Sequence, residues 1–377
     1  MRVASLFGLL AIAAAVEPCP ASVAHASPLA IACHDRPQVL YDALAWRGDV
    51  DEAARGEIIA CTDDGPRDVR DLDRALEGVH AWPPRPLVAS AHVYRVAYKT
   101  HRGNGAPAVG VASVAVPDHP RSGVAIVEAH GTRGLSVLCA PSHGGESPLA
   151  YASQGFVAIE PDYAGYGVGE APPAWLDSVD EAASVLDAAR AAERFVPEAH
   201  LSRVVLVGQS EGGHAVLSAQ SLARASGDGD RVVGVIAAAP LWFDPRAFAD
   251  VAMSDTPIEG PFEARLLSFA LYYFYGHAEL RDGPGQGKRL LERGARTDAK
   301  REIATSCAGN VVEELERARP APSSLLAPAL VAAFRACFVR GEGCDEEPVK
   351  TWRARFEHDL PKLDPAGAPV VAWNGGK

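Results

Sequence analysis

Residues 204–213 read Val-Val-Leu-Val-Gly-Gln-Ser-Glu-Gly-Gly, and they constrain the fold more than any other stretch of the chain. Four apolar residues run into Gly-x-Ser-x-Gly, and residues 214–222 continue with apolar positions at helix spacing. A strand must turn sharply into a helix there, with Ser210 at the corner. A serine hydroxyl is a weak nucleophile at its own pKa. Such a corner opens it to a base and sets the helix N-terminus behind a developing anion, while Gly208 and Gly212 make the turn sterically feasible. The pentad alone is a weak signal in a chain with 35 glycines. The strand before it and the helix after it carry the reading of Ser210 as a nucleophile.

The surrounding pattern fits that corner. Ala91 to Tyr98 and Val109 to Val116 alternate in hydropathy around Asn104-Gly105, which predicts an antiparallel hairpin. Val124 to Val127 and Phe156 to Ile159 are short continuous apolar runs, as expected for strands buried on both faces of a parallel sheet. Ser178-Val179-Asp180-Glu181 reads as a capping box, followed by Val179, Ala182, Leu186 and Ala189 on one helix face. With the Ser210 strand and another at Arg231 to Ala239, strands and helices alternate, which predicts a doubly wound, mostly parallel α/β sheet.

After Pro240 the alternation stops. Helical segments broken by Gly and Pro follow, including the aromatic run Phe269 to Tyr275, so a helical cap inserted after the sixth strand is expected. That run serves either as cap core or as the lining of an acyl-chain tunnel, in which Tyr273 and Phe274 would bind substrate. The expected division is 1–26 signal peptide, 27–90 N-terminal arm and linker, 91–243 α/β core, 244–365 cap, and 366–377 the start of a seventh core strand.

Arg2, the apolar run Leu6 to Val16 and Ala24-His25-Ala26 form an export signal, and the run is too short to span a bilayer. The protein is therefore expected to be secreted. Removing that signal with Cys19 leaves six cysteines, an even number that suits disulfides in an exported protein. The preferred pairings are Cys33 with Cys61 and Cys307 with either Cys337 or Cys344, leaving Cys139 and one other unassigned. No spacing matches a metal site, and no cofactor is implied. A formal net charge of -12 disfavours nucleic acid and anionic membrane surfaces as partners.

Three stretches together resemble the α/β-hydrolase superfamily, and within it the secretory lipases that include yeast lipase A type enzymes and exported bacterial lipases. They are His130-Gly131-Thr132 with Cys139-Ala140-Pro141-Ser142, then Pro161-Asp162-Tyr163-Ala164-Gly165-Tyr166-Gly167, and Gly208-Gln209-Ser210-Glu211-Gly212-Gly213-His214. The resemblance runs from about Ala91 onward. It implies Ser210 as nucleophile and an oxyanion hole from the backbone N–H of Glu211 and an N–H near Gly131 or Thr132. Tyr163 and Tyr166 fall at a strand's carboxyl end, where ligands bind in such sheets, and are candidate substrate contacts. Glu211 departs from the Gln common in its slot, and its side chain is given no role.

The implied partners follow in the order Ser, acid, His, with the acid after the seventh strand and the His after the eighth. Neither the acid nor the His is found in its expected place, so a carboxy-truncated hydrolase is expected. Asp244, after the sixth strand, is an alternative place for the acid, but no strand-end His accompanies it. His214, one turn into the helix, is read as structural, and His277 and His358 fall in the cap. The expected activity is cleavage of a small-molecule or lipid ester through an acyl-enzyme, with lipid-interface contact through the cap. The alternatives are a serine peptidase or amidase, and a catalytically dead binding protein.

Overall fold

Eight strands form one sheet in the order β1-β2-β3-β5-β4-β6-β7-β8. They are β1 Ile58–Arg67, β2 Ala91–His101, β3 Pro107–Pro117, β4 Val124–Ala129, β5 Val157–Pro161, β6 Arg203–Gln209, β7 Val232–Ala238 and β8 Val370–Trp373. The computed structural model describes residues 30–68, 90–143, 148–167, 171–291, 303 and 305–374. The expected signal peptide, the Pro-rich linker at 82–86 and residues 375–377 lie outside the described residues.

The hairpin forms as its alternation predicts, in register from Ala91 opposite Pro117 to His101 opposite Pro107. Its two faces are used separately because successive side chains point to opposite sides. Ala97, Val109 and Val111 pack on Leu40 and Leu44 of α1, Gln38–Leu44. Val96, Tyr98, Ala112 and Val114 join the main core with α2, Ser178–Phe195, and α3, Glu211–Leu222. From β5 through β4, β6 and β7 to β8 all pairings are parallel, and β5 is buried at every residue, as expected of its apolar run to Ile159, with Glu160 buried beside it.

The 27–90 segment supplies more than an arm. It contains α1 and β1, and β1 pairs antiparallel with β2. Register shifts at Ile58/Ala60 and Asp63/Gly65 break the alternation of β1, which is why no strand period is visible there. As expected, the helical insertion follows Val232–Ala238, the sixth strand of the sequence pattern and the seventh once β1 is counted. It comprises α4 Ala247–Ala252, α5 Pro261–His277, α6 Ala308–Ala318, α7 Pro328–Arg340 and α8 Val349–Asp359 around its own core. The architecture is the α/β-hydrolase topology, with helices on both faces and a helical cap inserted before the last described strand.

Two local expectations are corrected. The N-cap of α2 is Asp177, whose carboxylate accepts from Val179 and Asp180 N–H, while Glu181 reaches back to Leu176 N–H. Ser178 is displaced from capping because its hydroxyl donates to the Asp359 carbonyl at 2.9 Å. Of the disulfides, Cys33–Cys61 forms as expected, but Cys307 pairs with Cys139, and Cys337 with Cys344. Gly341 ends α7 in the left-handed region and turns the chain back, so Cys344 meets Cys337 locally. Cys307 meets Cys139 because Ala308 N–H donates to the Arg133 carbonyl, laying the cap on the loop after β4.

Candidate active site

Ser210 sits between β6 and α3 with φ 58° and ψ -118°, a backbone conformation that costs a non-glycine residue of order 1–3 kcal/mol. The glycines around it leave no room for a side chain. A Cβ on Gly208 would fall 2.1 Å from the Gly212 carbonyl oxygen, and one on Gly212 would fall 1.9 Å from the Ala129 carbonyl oxygen. Ser210 N–H donates to the Ala238 carbonyl, and its own carbonyl accepts from His214 and Leu241 N–H, so the corner is pinned on three sides. Glu211 is the first residue of α3, and its N–H is one of the donors that a helix N-terminus leaves for an external anion.

The loop after β4 comes to the same corner. A Cβ on Gly131 would lie 3.2 Å from Gln209 Oε1 and 3.9 Å from Ser210 Cβ. Tyr163 and Tyr166 hold this loop: their hydroxyls donate to the His130 and Gly134 carbonyls at 2.8 and 2.6 Å. The Tyr163 ring also stacks on His130 at 4.0 Å, and both tyrosines are buried. Burial lowers the His130 pKa to about 3, which keeps the imidazole neutral, and its Nδ1–H donates to the Gly131 carbonyl. Asp162 fixes the far end of the loop by accepting from Ser142 N–H and Oγ–H at 2.9 and 2.5 Å. Burial without a cation in contact raises its pKa to about 7.

Behind Ser210 lies a buried polar cluster that the sequence reading did not anticipate. Glu211 is 2% exposed, and Thr132 and Trp175 are the polar side chains that act on its carboxyl. Trp175 Nε1–H in turn donates to Thr132 Oγ1 at 3.1 Å. Desolvation, and then the nearby Glu181, push the Glu211 pKa well above the carboxylate range. Its Oε2 has no hydrogen-bond partner among the described residues. The sequence carries no signal for it: Glu211 stands between Ser210 and Gly212, and His214 and Ser218 follow at helix spacing on its own face.

His214 is structural, as read. Its Nδ1 lies 2.6 Å from Glu181 Oε2 and its Nε2 lies 2.8 Å from the Asp359 carbonyl, so both ring nitrogens are occupied away from Ser210. Burial lowers the imidazole and raises the carboxyl, which holds this pair in its uncharged form. His277 Nε2 contacts the Trp175 carbonyl, Asp244 is exposed and accepts from Arg246 N–H, and His358 is exposed. Among the described residues no histidine ring hydrogen-bonds the Ser210 hydroxyl. Tyr273 and Phe274 are buried in the cap among Phe248, Phe334, Trp352 and Phe356, and the Tyr273 hydroxyl donates to Asp359 Oδ2 at 2.6 Å. The structure thus brings Ser210, Glu211, Gly131 and Thr132 together. Tyr163 and Tyr166 stand behind them as supports, and Tyr273 and Phe274 lie within the cap core.

No family model matches the chain, and no curated protein matches it. Solved structures do. The rice cell wall degrading esterase LipA from Xanthomonas oryzae aligns with TM-score 0.66 at 18% identity, over 85% of this chain and 83% of that one. Candida antarctica lipase A in its closed state aligns with TM-score 0.61 at 18% identity, over 85% of this chain and 70% of that one. At such identity the likeness is one of fold.

Proposed function

We propose that the protein is an exported serine carboxylester hydrolase that forms an acyl-enzyme on Ser210 and needs no cofactor. The observation that carries this reading is the strained Ser210 corner at the start of α3, with the Gly131–Thr132 loop against it. A tetrahedral oxyanion formed at Ser210 would receive the Glu211 N–H and an N–H of that loop, each such donor contributing about 3 kcal/mol to the transition state. The fold shared with an esterase and a lipase supports ester substrates. The cap exposes Phe262 and Val339, apolar side chains suited to contact with a lipid interface.

The occupied nitrogens of His214 and the placement of His277 favour a second reading, a binding protein that keeps the corner without a base. Labelling by a serine-directed fluorophosphonate and hydrolysis of short and medium acyl esters separate the two. The enzyme reading expects stoichiometric labelling and turnover, with Ser210→Ala losing on the order of 10⁶ in kcat. Turnover and labelling that persist in Ser210→Ala would refute the assignment of the nucleophile, and a folded wild-type protein that shows neither would favour the binding reading.

A further inference from the structure

We propose that the Glu211 side chain is a positioning residue that ties the nucleophile corner to both the oxyanion loop and the cap. The proposal rests on the Ser210 reading. Its geometry spans three elements. Glu211 opens α3 directly after Ser210, Thr132 lies on the loop that abuts Ser210, and Trp175 precedes α2. Trp175 Nε1–H donates to Thr132 Oγ1 at 3.1 Å, and these two side chains are the polar neighbours that act on the buried Glu211 carboxyl. The Trp175 ring carries the link into the cap, at 5.4 Å from Phe248 of α4 and 4.9 Å from Phe269 of α5.

A charged carboxylate could not fill this role. The carboxyl is buried, and Oε2 has no partner among the described residues to solvate a charge. The groups that face it are neutral or acidic: the Glu181–His214 pair from α2 and α3, Tyr163 and Tyr166 after β5, Tyr272 from α5, and Thr132 and Trp175. Among the described residues no Lys or Arg is a leading influence on it, and burial favours its protonated form. Protonated, it offers hydrogen bonds without a field. Ionised, it would set a full negative charge beside the backbone N–H that should receive the oxyanion, so the same group would close the site at alkaline pH.

The test combines infrared spectroscopy with pH profiles on the full chain. At pH 7 the wild-type spectrum minus that of Glu211→Gln should show a protonated-carboxyl C=O band, which isolates Glu211 from the other buried acids. With a short-chain p-nitrophenyl ester, wild-type kcat/KM should fall at alkaline pH as that band titrates, whereas Glu211→Gln should lack the fall. Glu211→Ala should lose roughly tenfold or more in kcat with a smaller change in KM, and Gln should recover much of that loss. Absence of the Glu211 band at pH 7, or an alkaline fall that survives in Glu211→Gln, overturns the proposal. Failure of the Ser210 reading would look different: turnover would survive in Ser210→Ala while the infrared result stood unchanged.

Discussion

Replacing Cys139 and Cys307 together by alanine should cost about 5 kcal/mol of stability, the largest loss among the three disulfides. The figure follows from the chain-entropy relation for a cross-link, applied to the 168-residue separation of this pair. The same relation gives about 3.6 kcal/mol for Cys33–Cys61 at a separation of 28, and about 2.4 kcal/mol for Cys337–Cys344 at a separation of 7. The loops 33–61, 139–307 and 337–344 do not overlap in sequence, so no cross-link shortens another's loop and the three losses should add. Urea unfolding of the three double-alanine variants at pH 7, followed by tryptophan fluorescence, measures each loss. A second effect is local. Cys139 lies on the loop that Tyr163 and Tyr166 support, and Cys307 caps α6, so amide exchange at residues 131–142 should quicken in the Cys139→Ala/Cys307→Ala protein. A loss no greater than that of Cys337→Ala/Cys344→Ala would refute the argument, since it would mean that restricting the unfolded chain is not what this bond supplies.

Two further outcomes concern the core. Glu160 is buried on β5 with Oε2 unpartnered, and burial followed by repulsion from Glu128 raises its pKa from 4.5 to about 8. The folded protein then keeps a proton that the unfolded chain releases, so this group's penalty is absent below the unfolded pKa, grows as pH rises and levels off above about pH 8. Glu160→Gln should therefore stabilise by on the order of 3 kcal/mol at pH 7 and by little at pH 4, read as the difference in Tm across pH; an equal gain at both would refute it. Gly212→Ala places a methyl 1.9 Å from the Ala129 carbonyl oxygen, which is backbone that cannot rotate away. It should lose at least about 3 kcal/mol in urea unfolding, and a near-neutral result would show that the corner can open.

What was legible in the sequence was decided by short-range sterics and by periodicity. Gly208 and the strand before Ser210 specify the corner because the contact that forces Gly208, the Gly212 carbonyl, lies within a few residues, whereas Gly212 is forced by Ala129 at the end of the neighbouring strand; the hairpin and β5 follow from alternation and from the apolar run up to Ile159. The structural role of His214 was legible for the same reason, since one turn of helix already carries its ring away from Ser210. The remainder depended on partners far along the chain. Only the docking of the cap on the loop after β4 decides that Cys307 meets Cys139, and only the bulges in β1 explain a strand that has no period. Tyr163 and Tyr166 carry hydroxyls that the sequence leaves open between a ligand and loop packing; in the tertiary structure they donate to the His130 and Gly134 carbonyls. Glu211 shows the difference most sharply. In sequence it is a carboxylate beside a nucleophile, and whether it opposes or supports an anion there depends on its charge, which is set by the solvent and partners that α2, α5 and Trp175 exclude or provide.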